Sequence, residues 1–61
     1  MKGLIIFYIN IGLIPADQSD DYVQKIKDEN ADVLGAIPDE WGIIFLKERN
    51  SSTRVEVVTL E

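Results

Sequence analysis

Sixty-one residues suffice for one domain, residues 1–61, near the lower limit for a self-sufficient core. A net charge of −5 with six scattered basic residues argues against a nucleic-acid-binding surface, and the absence of Cys and His removes disulfides and ordinary zinc or copper sites. At 6.9 kDa such a chain exposes roughly 10,000 Å² unfolded and about 4,000 Å² folded, so a further staple is expected. Association with another subunit is the staple that remains.

The first element is the run Gly3-Leu4-Ile5-Ile6-Phe7-Tyr8-Ile9, apolar at every residue after the glycine and ended by Asn10. A strand with one wet face alternates, and this one does not, so both of its faces require cover. A strand is predicted over Leu4 to Ile11, with Leu4, Ile6, Tyr8 and Asn10 on one face and Ile5, Phe7, Ile9 and Ile11 on the other. Gly12 ends it. Asn10, polar at the end of an apolar strand, suits a cap on the following turn better than an interfacial hydrogen bond.

Pro15 fits the first position of a helix, where no backbone donor is needed, and Ser19 is a rival start. Asp17, Asp20 and Asp21 precede Lys25 and Lys27, the order that the helix dipole prefers. Tyr22 or Val23, Ile26, Val33 and Leu34 keep helical spacing, which predicts one long helix from Pro15 to Leu34 stopped by Gly35. A strand of about 25 Å is recrossed by about 17 residues of helix, in agreement with that length.

Pro38-Asp39-Glu40 reads as a turn. A second strand is predicted over Gly42 to Lys47, with Ile43-Ile44-Phe45-Leu46 again apolar on both faces. Glu48 to Ser52 would form a hairpin loop, and Thr53 to Leu60 a third strand that alternates. The predicted class is α+β in the order β-α-β-β, a three-stranded sheet with one long helix on one face. Strand order 1-3-2 is favoured because it makes every pairing antiparallel, with 3-2-1 as the alternative.

Chemistry is sparsely indicated. Asp17, Asp20 and Asp21 lack the alternation and glycine of a calcium loop and read as a solvated helix start. Asp39 and Glu40 sit in turn context, and Ser19, Ser51 and Ser52 have no evident activator. The four glycines match no phosphate loop. No catalytic, cofactor or metal residue is predicted, and the chain reads as non-enzymatic.

Cover for the second sheet face is expected from another copy of the chain, or from another protein, through Leu4, Ile6 and Tyr8. Trp41 is added as a residue of core or interface type. Leaving about five large apolar side chains wet would forgo roughly 1.5–3 kcal/mol each. The expected role is therefore a small oligomeric interaction or accessory protein. Alternatives are a building block of a larger assembly and an acidic inhibitor that mimics nucleic acid. No segment approaches the ~20 apolar residues of a membrane span, and the amino-terminal stretch lacks a signal-peptidase site, so a cytoplasmic protein without membrane or nucleic-acid partners is expected.

Overall fold

A computed structural model describes residues 1–50 and 52–60. In chain order its elements are β1 (Gly3–Asn10), α1 (Ala16–Glu29), α2 (Ala31–Gly35), β2 (Trp41–Glu48) and β3 (Arg54–Thr59). The class is α+β, a three-stranded mixed sheet with α1 against one face. No helix among the described residues is long and apolar enough to cross a membrane.

Strand order is β2-β1-β3, which corrects both predicted orders. β1 pairs parallel with β2, Gly3 opposite Trp41 through Asn10 opposite Glu48. On its other side it pairs antiparallel with β3, Gly3 opposite Thr59 through Tyr8 opposite Arg54. Order 1-3-2 would have placed in the centre the strand that carries Arg54 and Glu56. The observed order gives the centre to the strand apolar on both faces, and the alternating strand takes an edge. No β2–β3 hairpin forms. Their connection instead crosses the end of β1, where the Asn10 N–H donates to Thr53 Oγ1 at 3.1 Å. Ser51, part of the predicted loop, lies outside the described residues.

The predicted single helix is two. Asn30 divides them: its Nδ2 donates to the Ile26 carbonyl at 2.8 Å, and its own N–H reaches the Ile26 and Lys27 carbonyls. An asparagine that bonds back onto the preceding turn competes with helix continuation, and here the backbone leaves helical values at φ −112°. Ser19 is no cap. It lies within α1, and its hydroxyl donates to the Ala16 carbonyl at 2.9 Å. The predicted turn is present, closed by Trp41 N–H to the Pro38 carbonyl.

Packing is concentrated at one end of the sheet. Ile9, Ile11 and Val23 are the buried apolar residues, flanked by half-buried Ile14, Tyr22, Ile26 and Phe45. Val23 and Ile26 thus face the sheet as their spacing implies, whereas Val33 is exposed because α2 departs from the line of α1. Phe7 stacks on Phe45 with ring centroids 5.0 Å apart, and the Lys27 ammonium lies 4.6 Å from the Phe45 centroid. The Ile5, Phe7, Ile9 face therefore lies towards α1, and Leu4, Ile6, Tyr8 face the opposite side.

Two glycines are required by geometry. Gly12 adopts φ +53° in the turn after β1, where the Asn10 carboxamide oxygen accepts its N–H at 2.8 Å, so Asn10 caps the turn. At Gly3 a Cβ would lie 2.7 Å from the Trp41 ring, which uses the space.

Ile9 is the most deeply buried aliphatic residue, 2% exposed, in a core this small. Ile9→Ala is expected to cost about 2–5 kcal/mol and to leave the chain largely unfolded without denaturant. Urea titration followed by far-ultraviolet circular dichroism reads this directly; an unchanged midpoint would remove Ile9 from the core.

Candidate functional site

Polar contacts in this chain mainly tie its elements together. Lys47 on β2 donates from Nζ to Ser19 Oγ at 3.0 Å and to Asp20 at 2.8 Å, fixing α1 to the sheet. A serine next to a lysine amine has the composition of a nucleophile–base pair. Ser19, however, is 1% exposed and spends its proton on the Ala16 carbonyl, so no substrate reaches it. The Lys47 hydrogen bond, and then its charge, holds the Asp20 carboxyl below its ordinary value of 3.8.

Arg49 donates to the carbonyls of Gly12 and Ile14, at 3.1 and 2.8 Å, and so braces the turn that carries the wholly exposed Leu13. Arg54 stacks its guanidinium 3.9 Å from the Tyr8 ring centroid and reaches across β1 to Glu48 at 2.8 Å. Lys2 pairs with Glu40, and Lys25 with Glu29. All six basic side chains thus have intramolecular partners, and no cluster of cations faces solvent. Among the described residues no cavity opens and no group of metal-ligating side chains converges.

The remaining surface of note is the sheet face turned away from α1. Strand alternation and the register place Leu4, Ile6 and Tyr8 of β1 beside Ile44 and Leu46 of β2 and Val58 of β3. Nothing among the described residues packs over its middle. Ile44 and Leu46 are exposed and the other four half-buried. Its charges stand at the margin, the Arg54–Glu48 pair at one end and Glu56 on the β3 edge.

Leu4, Ile6 and Tyr8 are therefore brought together. Trp41 is not with them: opposite Gly3, it lies on the α1 side of the sheet. Asp39 and Glu40 stay in an exposed turn. Sequence reasoning missed Ile44 and Val58 and left Phe45 and Leu46 open as the β2 residue beside Tyr8, because the unalternated run of β2 does not reveal which of its residues share that face; the register gives Leu46. It also missed Arg49, whose partners are backbone carbonyls that carry no side-chain signature. Comparison with family models, curated proteins and solved structures gave no match.

Asp20 stabilises the folded chain while ionised. Because its folded pKa lies below 3.8, that stabilisation is present above this pH and lost as pH falls through the lowered value. Lys47→Met should be less stable than the parent near neutrality, and the gap should narrow in acid below about pH 4. Urea midpoints measured across this range test the linkage; a gap independent of pH would contradict it.

Proposed function

We propose that the protein is a small non-enzymatic interaction module that works as a homo-oligomer, with a second copy covering the open sheet face. The observation that carries this reading is that face itself: six apolar side chains on three adjacent strands, with charge only at the margin. Fully covering a large aliphatic or aromatic side chain is worth roughly 1.5–3 kcal/mol, against a stability of order 5 kcal/mol for so small a domain. The accessible surface adds support. At 4420 Å² it exceeds the approximately 4,000 Å² that surface scaling gives for a compact monomer of this mass.

Electrostatics are compatible with self-association despite the net charge of −5. Surplus carboxylates such as Asp17, Asp21, Asp28 and Asp32 stand on α1 and α2, beyond the opposite face of the sheet. Two open faces stacked together would keep these charges about two sheet thicknesses apart, where salt screens them.

Ile6 stands in the middle of the face, so Ile6→Lys places a charge where the second copy would sit. The variant is expected to keep the parent's circular dichroism spectrum and to sediment at lower mass in analytical ultracentrifugation. A folded variant of unchanged mass would move the contact to another surface.

A further inference from the structure

β3 is an outer strand, and its free side has a definite hydrogen-bonding phase. The Leu60 N–H donates to the Lys2 carbonyl at 2.9 Å, in step with the β1–β3 register. Backbone groups point alternately to the two sides of a strand, so Arg54, Glu56 and Val58 face β1, and Val55, Val57 and Thr59 turn their N–H and C=O groups outward. No other element pairs with them among the described residues. α1 packs on β2 and does not cover this edge, which leaves Val55 and Val57 56% and 59% exposed.

We propose that β3 is a self-pairing edge: two copies join β3 to β3 in antiparallel fashion about a twofold axis at Val55. Antiparallel twofold pairing keeps like faces on one side, so each residue meets one of the same parity. The outward phase allows an axis at Val55, midway between Val55 and Val57, at Val57 or nearer either end; the axis at Val55 pairs β3 with itself over Arg54–Glu56 and sets Val57 against Thr53. Side-chain charge selects among them. An axis midway would set Glu56 directly against Glu56 of the second copy, and an axis at Val57 would set Glu56 against Val58 and Arg54 against Leu60. With Val55 on the axis, Arg54 of each copy faces Glu56 of the other, twice, in the closely spaced pairs that bring side chains nearest. Glu56 has no cationic partner within the chain among the described residues; Arg54, whose guanidinium lies inward over Tyr8 and bonds Glu48 through one terminal nitrogen, would turn from that position to meet Glu56 of the other copy.

Area argues the same way, and this part rests on the function proposed above. A face of three strands, the longest 8 residues, projects to about 26 Å by about 14 Å, or about 350 Å². A stable interface covers about 800 Å² per partner. Edge pairing merges two sheets into one of six strands with both helices on one side. The open faces then form one surface of about 700 Å², with the paired Arg54 and Glu56 charges of the two copies along its middle and apolar side chains on either side, on which a second such pair can stack.

The chain has no cysteine, so one introduced thiol reports on the register alone. Val55→Cys would lie opposite its own copy at about 5.5 Å between Cα atoms, within disulfide range. Val57→Cys, equally exposed, would lie about 13 Å from its copy, beyond that range. Under glutathione oxidation V55C is expected to form a covalent dimer at least tenfold faster than V57C. Adding Glu56→Arg, which opposes like charges, should slow V55C cross-linking about tenfold. V57C cross-linking as fast as V55C, or failure of V55C to cross-link, would overturn the proposal. V55C combined with Ile6→Lys separates the two readings. Cross-linking that persists while mass above the dimer is lost supports both. A cross-link whose mass above the dimer survives Ile6→Lys leaves the edge intact and removes the face.

Discussion

The structure depends on one strand that needs cover on both sides and has a single helix to supply it. β1 carries large apolar side chains alternately to both faces and pairs with a strand along each edge. α1, 14 residues and about 21 Å long, crosses only the Ile9 end of one face. The consequences are visible in the shape, a plate of 37 × 22 × 16 Å with a radius of gyration of 12.5 Å, where a compact domain of this length would measure about 10.5 Å. Buried aliphatic residues gather where α1 meets the sheet, and apolar side chains remain open elsewhere.

Electrostatic contacts keep this thin layer in register. Lys47 fixes α1 to β2, Arg49 holds the β1–α1 turn, and the Arg54–Glu48 pair spans β1 to join its two neighbours. Each is individually weak, because solvent screens it. Their value is positional: they join segments far apart in sequence where few apolar contacts do so. The arrangement also engages the cations internally and leaves the middle of the open face uncharged, a surface suited to an apolar partner rather than to a polyanion.

The unalternated run of β1 made its two apolar faces legible, and Pro15, Asn10 and Pro38 marked the flanking turns. Strand order was not legible from pairing preference, because an all-antiparallel sheet looked simpler than the mixed one. The relevant signal was present all the same: Arg54 and Glu56, which have no opposing charges on β1, suit β3 to the edge of the single chain's three-stranded sheet. Asn30 kept an apparent helical phase from Tyr22 to Leu34 while its side chain bonded back to Ile26, an effect of local hydrogen bonding invisible to periodicity. Of the proposed contact residues, Leu4, Ile6 and Tyr8 share a face by simple alternation along one strand. Trp41 required the inter-strand register, which no local pattern supplies.

The central claim is that the folded sheet is completed by further copies of the same chain. Association that stabilises only the folded form makes the melting temperature depend on concentration. Thermal melts by circular dichroism at about 5 µM and about 500 µM should differ by several degrees, with the higher midpoint at the higher concentration. Coincident melts, together with a monomeric sedimentation mass at the higher concentration, would contradict the account.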